Sequence, residues 1–185
     1  VTYRPGTLTI TAQSIVPEDP SYRGIQIDDP SNHEYDAQEH KWKPTVTDKE
    51  GNELTEGTDY TVSYDTDNFV DVKTITVTIT GKGNYSGTVT KTYKITPKPV
   101  TVTADNKSKV YGDEDPELTA TESGLIGKDK VTYTLSRAAG EKEGTYAITP
   151  AGEEDQGNYT VTYRPGTLTI TAQSIVPEDP SYRGI

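Results

Sequence analysis

Two histidines, His33 and His40, stand among Glu34, Asp36 and Glu39. Imidazoles beside carboxylates are ligand types for a divalent metal. Their spacing matches no standard zinc pattern, and a solvated loop is the plainer expectation. Three acidic clusters lie elsewhere: Asp65-Thr66-Asp67-Asn68, Asp113-Glu114-Asp115 and Glu153-Glu154-Asp155. Calcium needs about six to eight converging oxygens, and none of these runs completes an EF-type loop. Asp65, Asp67, Asp113 and Asp115 are the calcium candidates, weighed against ordinary solvated charge. Trp42 is the only tryptophan, flanked by Lys41 and Lys43. Its flat face could stack on a sugar, or it could pack at the edge of a core.

Lys91 falls between Val89 and Tyr93 at the parity of an inward face, where a charge must be paired or escape to solvent. An amide crosslink to an asparagine would need a carboxylic acid beside it. A lysine guarding an edge strand against aggregation is the simpler expectation. No nucleophile elbow, phosphate loop, Ser-His-Asp context or dinucleotide fingerprint is found, so no enzyme is expected. Neighbouring carboxylates in so acidic a chain read as surface charge rather than as an acid and base pair.

These residues must be positioned by strands. Only 30% of the 185 residues are hydrophobic, whereas 13 are Tyr and many are Thr, which suit half-buried pleated surfaces. Sixteen Gly and 12 Pro punctuate the chain at short intervals and leave no room for long helices. The absence of Cys removes disulfides, thiol catalysis and thiolate metal sites together. A net charge of −11 argues against nucleic acid, which requires clustered Lys and Arg. No apolar run is long enough to span a bilayer, and no signal or anchor motif is read at either end; the expectation is an internal fragment without membrane insertion.

Residues 161–185 reproduce residues 1–25 letter for letter, which sets a repeat of 160 residues, the offset from Val1 to Val161. An unchanged copy of that length implies an array of units joined to neighbouring repeats of the same chain. A second echo, between 83–96 and 157–171, divides each unit in two. The expected organisation is residues 1–15 as the tail of a preceding domain, 16–96 as one domain, 97–171 as a second, and 172–185 as the start of the next repeat. Residues 1–11 would then lack the rest of their domain and either add to another molecule or stay poorly ordered.

Alternation places Tyr60, Val62 and Tyr64 on one face, Ile75, Val77 and Ile79 on another, and Val89, Tyr93 and Ile95 on a third. In the second domain it selects Val100 and Val102, then Val131, Tyr133 and Leu135, then Tyr146 and Ile148, then Tyr159, Val161 and Tyr163, and finally Leu168 and Ile170. Arg164-Pro165-Gly166 interrupts that last run and predicts a bulge, turn or edge. Short strands with regular turns predict two small, Ig-like β-sandwich domains in tandem, end to end. The Pro-bearing junctions at 96–99 and 14–20 predict semi-rigid connections.

The ordered set Lys109-Val110-Tyr111-Gly112-Asp113-Glu114-Asp115-Pro116-Glu117-Leu118, Gly124-Leu125, Gly144-Thr145-Tyr146-Ala147-Ile148, Asn158-Tyr159 and Gly166-Thr167-Leu168-Thr169-Ile170 resembles the MBG family of bacterial adhesin repeats. Residues 16–96 look like Ig-like repeats of Gram-positive surface proteins, through Tyr35-Asp36, the run 54–60, 79–85 and Gly87-Thr88-Val89. They depart from that pattern at Ala37, where a small glycine turn is expected, and at Trp42. The resemblance implies an extracellular, bacterial cell-surface location, with cell-wall anchoring through other regions. It also implies a role in adhesion: a stalk projecting a binding tip or, alternatively, weak multivalent binding of host glycans or mucin. No cofactor is expected unless calcium is one. In the motif itself, Gly112 is expected to supply a turn with Tyr111 packed beneath it, and Pro116 to fix the chain as it re-enters the next strand.

Overall fold

The computed structural model describes residues 6–176, 179 and 180; among them the fold is all-β, with sixteen strands and no helix. The chain divides into two compact units, Val1–Thr96 and Pro97–Ile185.

The first unit holds β1 (Gln13–Ser14), β2 (Gln26–Ile27), β3 (His33–Glu34), β4 (Val46–Thr47), β5 (Tyr60–Tyr64), β6 (Lys73–Gly81), β7 (Tyr85–Ser86) and β8 (Thr88–Thr96). Its main sheet runs β3-β8-β6-β5; the pairs β1-β7 and β2-β4 are separate two-stranded ladders. Strand β6 shows why this sequence folds so: Ile75, Val77 and Ile79 alternate with Thr, and all three are buried. Tyr60, Tyr93 and Ile95 complete the sheet's inner face, while Ile15, Ile25, Tyr35, Val46 and Phe69 close over it. Val62, Tyr64 and Val89 share the expected parity but are only half-buried, because they lie toward strand ends and the sheet's rim.

Residues 13–15, expected to be a foreign tail, instead belong to this unit. Strand β1 pairs in parallel with β7, the Ile15 amide donates to the Ser86 carbonyl at 2.9 Å, and Ser14 and Ile15 are buried. The unit's working boundary is therefore Gln13, three residues ahead of the expected one. The expectation for residues 1–11 falls partly outside the described residues; Gly6–Thr11 form no strand and stay exposed.

The second unit holds β9 (Lys98–Ala104), β10 (Lys107–Val110), β11 (Ala120–Ser123), β12 (Thr134–Arg137), β13 (Gly144–Ala151), β14 (Asp155–Gln156), β15 (Tyr159–Arg164) and β16 (Gly166–Thr171). They form two four-stranded sheets, β11-β9-β15-β14 and β10-β16-β13-β12. Val100, Val102, Val131, Ile148, Tyr159, Val161, Leu168 and Ile170 are buried, as alternation predicts. Val131 is buried and Tyr133 half-buried from outside any strand, because β12 begins only at Thr134.

The interruption at Pro165 is a corner between sheets. Strand β15 lies in one sheet and β16 in the other, and Pro165, lacking a ladder donor, occupies the crossing. The chain makes the same crossing between β9 and β10. The two crossings run side by side, since β9 pairs in parallel with β15 and β10 with β16. They approach so closely that a Cβ on Gly166 would overlap the Ala104 carbonyl oxygen, so this corner requires glycine for space.

Candidate functional site

The densest polar cluster is in the second unit, around the motif that begins at Lys109. Strand β10 carries Lys109 inward at 9% exposure, a location a lysine tolerates only when its charge is met. The chain then turns sharply: the Asp113 amide donates to the Val110 carbonyl at 3.1 Å, and Gly112 sits at φ 90°, in the left-handed region. That turn brings the following acids back over the lysine. Lys109 Nζ donates to Asp115 Oδ1 at 2.7 Å, to Glu141 Oε2 at 2.6 Å and to the Asp113 carbonyl at 3.2 Å, so all three ammonium hydrogens find acceptors.

Arg137, at the end of β12, closes the ring. Its Nε donates to Asp115 Oδ2 at 2.7 Å and its Nη2 to Asp115 Oδ1 at 3.1 Å, a bidentate grip, and Nη2 also reaches Glu141 Oε1. The remaining donor, Nη1, serves the Ala138 and Gly140 carbonyls, which fastens the loop carrying Glu141. Two cations thus alternate with two anions. The Arg137 and Lys109 hydrogen bonds hold the Asp115 carboxyl below the usual carboxylate range; Glu141 is lowered by the same partners, Lys109 first. In return, Asp115 and then Glu141 raise the Lys109 amine above its ordinary value.

Chemically this is a clamp. Condensing Lys109 with Asp115 into an amide would require a neutral amine and a protonated acid, the reverse of the charge states these partners favour. Asp115, a calcium candidate, already spends both oxygens on cations. Tyr111 does not pack beneath the turn as expected. It is 50% exposed, because its amide bonds the Thr171 carbonyl at 2.8 Å and the ring points out.

The other sequence candidates lie apart. Asp65 Oδ1 accepts from the Thr76 amide at 3.0 Å, capping the β5–β6 connection, while Asp67 is exposed in the same loop. The imidazoles of His33 and His40 stack with centroids 4.2 Å apart and 15° between planes, and His40 Nε2 lies 2.8 Å from Asp36 Oδ1. Stacked rings direct their nitrogens outward in parallel planes rather than toward one point. Among the described residues no group of three or more His, Asp or Glu side chains is placed to hold a metal ion.

Trp42 is half-buried and tied down: its Nε1 donates to Asp28 Oδ2 at 3.3 Å and its carbonyl accepts from the Tyr64 hydroxyl at 2.8 Å. The Tyr93 hydroxyl holds the same segment by donating to the His40 carbonyl at 2.7 Å. Several tyrosines of this unit therefore face inward and use their hydroxyls on backbone, as buried Tyr must. Lys41 lies over the Tyr64 and Phe69 rings at 4.8 and 4.9 Å. Along β5 runs an open groove of about 760 Å³ lined by Lys43, Glu53, Glu56, Tyr60 and their neighbours, with Trp42 outside it.

Lys91 meets Asp29 Oδ1 at 2.5 Å, pairing as an inward lysine must. Strand β3 covers β8 only at Ile95 and Thr96, so Lys91 stands on a stretch without a strand on that side, in keeping with an edge role. Reasoning from sequence passed over Lys109, Arg137 and Glu141. A legible signal existed: a lysine at inward parity, then a glycine turn, then an acid six residues on.

Residues 100–169 match the family model described as the MBG domain (YGX type). The chain matches no curated protein sequence. Among solved structures, the protocadherin GammaB4 extracellular domain is similar at 12% identity over 80% of this chain, with a TM-score of 0.23. The match takes in 33% of that chain, so the present sequence spans about a third of its length.

Proposed function

We propose, from the premise that residues 100–169 form an MBG-type domain, that this chain is a repeat from the stalk of a bacterial cell-surface adhesin, with anchoring and tip regions elsewhere. The observation that carries the reading is the unaltered 25-residue copy at an offset of 160 residues, combined with very short junctions. Pro97 alone separates β8 from β9. Ala172 alone separates the end of β16 from Gln173, whose identical counterpart Gln13 opens β1. Links of one residue leave little slack for a chain to fold back.

The ladder geometry suits tension as well. The second unit is entered at β9 and left at β16, and its first two strands pair in parallel with its last two, so a pull on the ends loads those hydrogen bonds in shear. The role needs neither catalysis nor a cofactor. With longest strands of nine residues in the first unit and eight in the second, the units would add about 30 Å and about 27 Å, somewhat less than the 35 Å or so that ten-residue strands would give. Small-angle scattering of one-repeat and two-repeat polypeptides tests this: the maximum dimension should grow in proportion to unit number, and a compact two-repeat particle would sink it.

The groove along β5 favours a second reading, weak glycan binding multiplied by repetition. Its exposed Lys43, Glu53 and Glu56 offer a sugar hydrogen-bonding groups. A glycan array probed with single and tandem repeats decides it, since silence at every valency removes this alternative.

A further inference from the structure

The sequence Gly-Thr-Leu-Thr-Ile-Thr occurs twice and meets two fates. As Gly166–Thr171 it is β16, hydrogen-bonded to β10 on one side and β13 on the other, with Leu168 and Ile170 buried. As Gly6–Thr11 it forms no strand, and Leu8 and Ile10 are each 86% exposed. The first copy thus carries apolar alternation with nothing to cover it.

It also carries a glycine with no local reason. Gly6 has open space around the position of a Cβ, whereas the same atom on Gly166 would overlap the Ala104 carbonyl oxygen. The requirement for glycine arises only where this segment packs against the β9–β10 crossing. We propose that Gly6–Thr11 is the closing strand of a unit of the second type, and that its partner is a second copy of residues 97–160 of this repeat. In that slot Leu8 would register with the positions of Lys107 and Tyr146, and Ile10 with those of Lys109 and Gly144, as Leu168 and Ile170 do here.

The proposal rests on the array reading and deepens it. One segment would then serve two units at once: its first half closes the unit before, and Gln13–Ile15 open the unit after. Neither unit could be lost without exposing the half of the segment that it covers.

The test joins residues 97–160 directly ahead of Val1 and compares amide hydrogen exchange at residues 6–11 with that in the 185-residue chain. Protection there should rise about a thousandfold or more, toward that of residues 166–171. Gly6→Val and Leu8→Asp should leave the 185-residue chain unchanged, because the segment touches nothing in it. In the extended polypeptide each should abolish the new protection, together with that of the added residues, and spare the later units.

Unprotected amides at 6–11 in the extended polypeptide, or full protection in either variant, would overturn the assignment. Scattering of the same polypeptide separates this from the stalk reading. A lengthened particle with labile 6–11 sinks the strand placement alone, and a compact particle with protected 6–11 sinks the stalk alone.

Discussion

Residues 6–15 and 166–175 are the same ten amino acids, yet their burial is inverted. In the first copy Leu8 and Ile10 lie in solvent while Ile15 is 1% exposed; in the second Leu168 and Ile170 are buried while Ile175 is 82% exposed. Ser14 and Val16 follow Ile15 inward, and Val176 follows Ile175 outward. Local propensity is identical in the two places, so it explains none of the difference. What differs is which ladder stands ready: β7 accepts residues 13–14 in the first unit, and β10 with β13 accepts 166–171 in the second. A Thr-rich alternating segment has strand propensity everywhere and becomes a strand only where unpaired backbone and an apolar face await it.

The largest test of that contrast is in the core. Leu168→Ala should destabilise the second unit by about 2–5 kcal/mol in urea unfolding, while Leu8→Ala should stay within about 0.5 kcal/mol of the parent. Ile15→Ala and Ile175→Ala should reverse the pattern, with the first unit losing about 2–5 kcal/mol and the second almost nothing. Equal costs at paired positions would break the comparison.

Acid offers the next test, because the Lys109 cluster is rooted on β10, the strand that holds β16. Asp115 and Glu141 are lowered in the fold, so their stabilisation is fully present above the unfolded values near 4 and is lost as pH falls through the depressed folded ones. Lys109 is raised, so its share persists until pH climbs past 10.5 toward the folded value. The stability of the second unit, followed by exchange at 166–171, should therefore fall steeply below about pH 4. Asp115→Asn should lower stability at neutral pH and flatten that acid slope; an unaltered slope would show the cluster contributes nothing.

The smallest effect concerns Ala37, which adopts φ 60°, the only left-handed residue other than glycine among those described. Ala37→Gly should raise the first unit's stability by about 0.5–1 kcal/mol, since relief of the Cβ clash exceeds the added chain entropy. Differential scanning calorimetry should find the shift in that unit's transition and none in the other.

Much of the fold was legible beforehand. Period-two alternation located Ile75, Val77 and Ile79, Val100 and Val102, and Leu168 and Ile170 because each such run has a single apolar face to bury. The resemblance of residues 16–96 to Ig-like repeats implied a small glycine turn near residue 37, and Ala37 holds the left-handed backbone that favours glycine. The candidate site was less so. Asp113 and Asp115 were noticed as acids, and Lys109 lies only six positions before Asp115, but Arg137, the second cation that claims it, lies 22 positions away, beyond the reach of any local pattern. Likewise Lys91 and Asp29 are 62 positions apart. Trp42 and Tyr111 differ for the same reason: burial of an aromatic ring depends on what the neighbouring elements leave uncovered.

By itself, the sequence determined the all-β class, the 160-residue period, the inward parity of most strands and the glycine and proline positions of the turns, because these follow from backbone sterics and from side chains a few residues apart. Only the tertiary structure decided which half of the duplicated segment is core at each place, that Pro165 is a crossing between sheets, and that Lys109 is neutralised by two acids across a turn and a loop. Those outcomes depend on surfaces assembled from distant strands, and identical residues offered different surfaces end in opposite environments.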